Sequence, residues 1–135
     1  MRYQRAESPA HLNGFDAARH FFADCFTADD RLHERLWVAH LDEGARCIHL
    51  ERYEGDESSA EVPVRSIVAD AARIGSAGVV LAHNHPSGDP SPSLADCRAT
   101  RTLALVGETI DLVVVDHLIF ATGAECRSMR RMGLL

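Results

Sequence analysis

The residues with chemistry to offer are concentrated in one run, His83-Asn84-His85-Pro86-Ser87-Gly88-Asp89-Pro90-Ser91-Pro92-Ser93-Leu94-Ala95-Asp96. Two histidines at i and i+2 at the end of a strand project to the same side of it. Pro86 lacks a backbone N–H and stops that strand from continuing inside a sheet. The loop then returns the chain to a helix that Ser91 is expected to cap, with Pro92 at its first position. Ser93 and Asp96, three residues apart, share one face of the first turn. Two imidazoles and a carboxylate are a hydrolytic zinc ligand set that leaves a position for water. His83, His85 and Asp96 are therefore the expected ligands of one zinc ion. Zinc lowers the pKa of such a water towards about 7, which makes hydroxide available at neutral pH.

A site of this kind also needs a base for the water's proton and a donor for the developing oxyanion. Ser93 can supply the hydroxyl donor, one helical turn from Asp96. The base should be a carboxylate from elsewhere in the fold. Glu34, Glu51 and Asp116 all qualify, and spacing alone does not choose among them.

The elements that must position these groups are legible as periodicities. Phe15, Ala18, Phe22, Cys25 and Phe26 fall at helical spacing and predict a helix over roughly 14–26, broken by Thr27–Asp30. Leu36–Leu41 and Arg46–Leu50 read as strands of a hairpin with Asp42–Ala45 as its loop. Glu54–Ala60 is polar and reads as a loop. After Pro63, Val64, Ile67, Val68, Ala71 and Ala72 make the apolar stripe of a second helix, whose end Gly75 and Gly78 bracket. Val79–Ala82 is an uninterrupted apolar run, expected as a strand buried on both faces. A helix over about 92–105 and a strand over Asp111–Phe120 follow, with Gly123 turning the chain into a short C-terminal piece. The order α, β, β, α, β, α, β predicts an α/β domain, a mixed sheet flanked by helices.

Composition narrows the function classes. The chain has 135 residues, one domain's worth, and is 46% hydrophobic and 25% charged, ordinary values for a globular protein. No apolar run reaches the roughly 18–20 residues of a membrane span. Met1–Ala10 carries Arg2 and Arg5 with no apolar stretch behind them, unlike a signal peptide, so the expected location is the cytoplasm. Cys25, Cys47, Cys97 and Cys126 include no C-x-x-C pair and are expected as free thiols. The net charge is −6 and every basic residue is Arg, which argues against strong DNA binding. The one basic cluster, Arg127, Arg130 and Arg131, reads as a solvated tail.

The run Val79–Asp96 resembles the JAB/MPN (JAMM) metalloprotease motif, H-x-H-P followed by S-x-x-D. Within that superfamily it looks most like the bacterial RadC-type proteins, which carry HNHPSGDP and then P-S-x-x-D. The resemblance covers roughly residues 30–135. It includes Glu34 before an apolar strand ending in Leu41-Asp42, Val64-Arg65 ahead of a helix, Val115-Asp116-His117, Ser128, and Gly133-Leu134-Leu135. It implies a single JAB/MPN, cytidine-deaminase-like domain over 30–135, with the helix in 1–29 part of it or leading into it. It also implies that His83, His85 and Asp96 hold zinc, that Ser93 assists the oxyanion and that Glu34 is the general acid/base. The implied activity is zinc-dependent hydrolysis of a peptide or isopeptide. A zinc-bearing interaction module without turnover and a DNA-repair-associated protein are the alternatives.

Two features depart from the RadC pattern. The residues ahead of position 30 read as a single helix rather than a helix-hairpin-helix region, so the DNA-repair association is not expected to transfer. Glu54–Ser59 stands where a Gly-Thr is usual, and this loop is a candidate gate of the site. Asp116 or His117 could reach a ligand histidine, a structural role being the simpler expectation. His11, His20, His40 and His49 are expected as core or surface histidines. Substrate identity and oligomeric state are not legible.

Overall fold

The computed structural model describes residues 10–26, 33–54, 62–121 and 125–135. The expected break at 27–30, residues 55–59 of the candidate gate and the Gly123 turn lie outside these residues. Helix α1 (Phe15–Ala23) leads into strands β1 (Leu36–Leu41) and β2 (Cys47–Tyr53), followed by helix α2 (Val64–Ile74) and strand β3 (Gly78–Asn84). Helix α3 (Leu94–Glu108) and strands β4 (Val113–Phe120) and β5 (Cys126–Ser128) complete the order. The five strands form one mixed sheet, β2-β1-β3-β4-β5, in which only β3 and β4 run parallel. This is a small α/β domain, consistent with a JAB/MPN fold. Among the described residues no helix is long and apolar enough to cross a membrane.

Both faces of the sheet are covered, which is why β1 and β3 are apolar almost throughout. Trp37, Ala39, Val80, Ala82 and Phe120 pack with Leu12, Ala18 and Phe22 on the α1 side. Leu36, Val38, Leu81 and Val114 pack with Ile67 and Ala71 of α2 and Leu103 of α3 on the other. Residues 79, 81 and 83 share the α2/α3 side by alternation, so the core pattern sends His83 there. The hairpin turns on Asp42, whose Oδ1 accepts the N–H groups of Gly44 and Arg46, each at 2.9 Å.

Several boundaries differ from expectation. Helix α1 stops at Ala23, yet the Phe26 ring still packs on Phe120 at 5.2 Å between centroids. The apolar stripe there outlasts the helix. Strand β2 runs on through Glu51 and Arg52 because an edge strand needs only one buried face. Ala72, expected in the α2 stripe, is exposed. Ser91 does not cap α3; Ser93 does, and the helix begins at Leu94. The short C-terminal piece contains a fifth strand, fastened through Asp116: Oδ2 accepts the Ser128 hydroxyl and Oδ1 accepts the Arg130 N–H. The expected solvated tail is only partly that. Arg130 donates to the carbonyls of Val114 and Val115, and the Arg131 guanidinium lies 4.4 Å from the Phe15 ring centre.

Candidate metal centre

The site lies at the C-terminal ends of the parallel pair β3 and β4, where open α/β sheets place their ligands. His83 is the penultimate residue of β3. The backbone N–H of His85 donates to the Phe120 carbonyl at 2.8 Å, extending the pairing past Asn84 and holding both histidines on one side. Asp96 arrives from α3. Its carboxylate and Ser93 form a reciprocal capping box: Asp96 Oδ2 accepts the Ser93 N–H at 2.8 Å, and Ser93 Oγ accepts the Asp96 N–H at 3.0 Å. The cap that starts the helix thus also aims the carboxylate.

Three atoms converge. His83 Nε2 and His85 Nε2 are 2.8 Å apart, and Asp96 Oδ2 lies 3.4 and 3.3 Å from them. Bonds of about 2.0–2.1 Å to a tetrahedral zinc place neighbouring ligand atoms about 3.3 Å apart. Both carboxylate distances match that edge, and the nitrogen pair is somewhat tighter. Among the described residues this is the one group of histidine, cysteine and acidic side chains able to hold a metal ion.

The far ring nitrogens decide how the near ones behave. His85 Nδ1 donates to the Asp89 carbonyl at 2.8 Å, so its Nε2 carries the lone pair. His83 Nδ1 lies 2.6 Å from His117 Nε2, and His117 Nδ1 lies 2.8 Å from the Thr100 hydroxyl. Burial pushes the His117 pKa well below the usual value, with the neighbouring His83 acting in the same sense. A neutral His117 that accepts from His83 and donates to Thr100 leaves the His83 Nε2 lone pair aimed at its neighbour. Two facing lone pairs beside a carboxylate suit a cation. In the protein alone, burial works to raise the Asp96 pKa, but the adjoining His83 and His85 rings outweigh it and hold the carboxyl well below the usual range. Asp96 is correspondingly the largest influence raising His85, against burial; the Asp89 carbonyl and the Glu34 charge act with it.

The sequence-expected residues are distributed as follows. His83, His85 and Asp96 meet, and Ser93 is tied to Asp96. Glu34 is half-buried just ahead of β1, near enough for its charge to act on His85. Glu51 lies elsewhere, paired with His49 at 3.0 Å on the edge strand. His117 is the one of the pair Asp116 and His117 that reaches a ligand histidine of the candidate site, His83. Asp116 faces away, towards Ser128. A one-residue bulge decides between the two: β3 pairs Val79 with Val114 but Val80 with Asp116, so residues after Val115 exchange faces. No sequence pattern discloses that slip. Thr100 was missed, although it lies four residues after Asp96 and hence on the same helix face.

The profile of the RadC-like JAB domain matches residues 12–134. This chain belongs to the RadC-like JAB-domain family. Its relatives include a UPF0758 protein of Chloroflexus aurantiacus strain J-10-fl, 44% identical over 82 residues, which are 61% of this chain and 35% of the relative. A UPF0758 protein of Acidovorax sp. strain JS42 is 42% identical over 106 residues, 78% of this chain and 44% of the relative. The RadC-like chain thus spans less than half the length of these relatives.

Proposed function

We propose that this RadC-like domain is a zinc-dependent hydrolase of JAMM type acting on a peptide or isopeptide bond. The observation that carries the reading is the convergence of His83 Nε2, His85 Nε2 and Asp96 Oδ2, with His85 Nδ1 donating to the Asp89 carbonyl and His83 Nδ1 engaged by His117. A bound zinc ion would supply Lewis acidity and bring the pKa of a water ligand towards about 7. His83, His85 and Asp96 would hold it. Glu34 takes the proton of the attacking water and returns it to the leaving amine. Ser93 accepts a backbone N–H, which leaves its own hydroxyl proton for the oxyanion. The four cysteines are free, in keeping with a cytoplasmic setting. DNA is the less favoured partner: the net charge is −6, and Arg130 and Arg131 are engaged within the domain.

Metal analysis by inductively coupled plasma mass spectrometry is the first test. Near-stoichiometric zinc that is lost in Asp96→Ala is the expected result. A folded, chelator-free preparation without zinc removes the proposal and favours an interaction module without turnover. With zinc in place, peptide and isopeptide substrates follow. Glu34→Gln should retain the metal and lose turnover; undiminished turnover overturns the role given to Glu34.

A further inference from the structure

We infer that Asn84, between the two histidines, is the positioning residue that fixes Glu34 beside the metal site. The inference rests on the reading of Glu34 as the base. Strands β1 and β3 pair antiparallel, and their ladder ends with Leu36 opposite His83. Beyond that pair a side chain takes over from the backbone. Asn84 Oδ1 accepts the Arg35 N–H at 2.6 Å, and Asn84 Nδ2 donates to the His33 carbonyl at 3.0 Å. These two backbone groups flank Glu34 on either side.

The residue type follows from the partners. A carboxamide places an acceptor and a donor side by side on a short stem; a carboxylate lacks the donor and a methyl group lacks both. Asn84 is only 7% exposed, and both of its bonds to the β1 approach are partly shielded from water, so their loss is only partly offset by solvent. Continuing the register outward sets Arg35 against Asn84 and Glu34 against His85. Opposed residues of an antiparallel pair share a sheet face. The clamp therefore turns Glu34 to the face that carries His83 and His85. Asn84 itself alternates off that face, so the clamp takes no room from metal or substrate. A carboxylate on a segment ahead of a strand lacks a ladder of its own, and proton transfer requires it within a hydrogen bond's reach of its target.

The test uses Co2+ as the probe, loaded into wild type, Asn84→Ala and Asn84→Asp. Two quantities are read: hydrogen exchange at the Arg35 amide and paramagnetic relaxation of the 13C-labelled Glu34 carboxyl. In Asn84→Ala the amide should exchange about tenfold faster or more. Relaxation at Glu34 should fall severalfold, since it follows the inverse sixth power of the distance to the metal. Cobalt stoichiometry should be unchanged. Asn84→Asp keeps the acceptor for Arg35 and loses the donor, so it should fall between. Unchanged Glu34 relaxation in folded, cobalt-loaded Asn84→Ala overturns the inference. Should that variant not fold, unchanged relaxation in Asn84→Asp overturns it equally. Neither quantity reads turnover. Undiminished hydrolysis by Glu34→Gln would thus remove the base while leaving the clamp, and the two failures stay distinct.

Discussion

At the scale of single residues, the candidate metal site is backed by groups that would never touch the metal. His117 and Thr100 are fully buried and back His83 in sequence, His117 Nε2 lying 2.6 Å from His83 Nδ1 and the Thr100 hydroxyl 2.8 Å from His117 Nδ1. Replacing the partner of a ligand histidine typically costs about 10–100-fold in metal affinity. His117→Leu should therefore weaken zinc by that order, as read by competition with a chromophoric chelator. His117→Gln, whose amide oxygen can accept from His83, should recover much of it. Equal affinities for wild type and a folded His117→Leu would show the contact to be incidental. Ser93 joins two roles that substitution can separate. Ser93→Ala should lower stability by about 1 kcal/mol through the lost cap. It should also reduce kcat about 100-fold through the lost donor, with zinc content maintained. Ser93→Thr should retain the cap, and chemical unfolding of the two variants compares them directly.

At the scale of elements, α3 carries Asp96 and Thr100 to the sheet, so its seating decides whether the site closes. Its tightest point is Gly107, where an added Cβ would meet the Leu112 carbonyl oxygen at 2.6 Å. That oxygen belongs to the backbone leading into β4 and cannot swing aside. Gly107→Ala gains up to about 1 kcal/mol of helix propensity, but overpacking of this kind costs about 1–3 kcal/mol. The expected outcome is net destabilisation, measured as a lower Tm by calorimetry, with reduced zinc occupancy as α3 shifts outward. A Tm equal to or above wild type would show that the turn yields freely. The bulge at Val115 is the second control. Its carbonyl and that of Val114 accept the Arg130 guanidinium, so the C-terminal segment braces the irregularity that turns His117 inward.

At the scale of the whole molecule, a second buried polar chain ties β1, β2 and α2 together away from the metal. His40 Nδ1 lies 2.9 Å from the Ser76 hydroxyl and Nε2 lies 3.2 Å from the Tyr53 hydroxyl, which donates to Asp70 at 2.6 Å. His49, Asp70 and Arg73 are the charged or titratable neighbours that act on the ring. Burial is the largest influence and, with His49, brings the His40 pKa down to about 4, against the opposing pull of Asp70. The fold thus prefers neutral His40, whereas the unfolded chain takes up a proton near 6.5. Between those values the unfolded state binds more protons, so stability is full above about pH 6.5 and declines as pH falls towards about 4. The expected loss is about 3 kcal/mol. Urea unfolding of wild type and His40→Gln across this window reads it as the difference between two curves, which removes contributions from the other histidines. Parallel curves would show that His40 is not the group responsible.

Much of this protein could be read from its sequence because the deciding signals are local. Strand β1 matches its apolar run residue for residue, α2 follows its stripe after Pro63, and β3 contains the run Val79–Ala82. His83, His85 and Asp96 stand within one strand–loop–helix unit, where alternation and helical spacing alone bring three side chains towards one point. Glu34 belongs to another category. Nothing in its own neighbourhood separates it from Glu51, and only the resemblance to a family singled it out. Its place beside His85 depends on the pairing of strands distant in sequence and on the amide of Asn84. His117 is the clearest case of what the tertiary structure alone decided. One extra residue in the β4 ladder sends it inward and Asp116 outward, and that slip follows from the mutual packing of sheet, α3 and C-terminal segment rather than from any local preference.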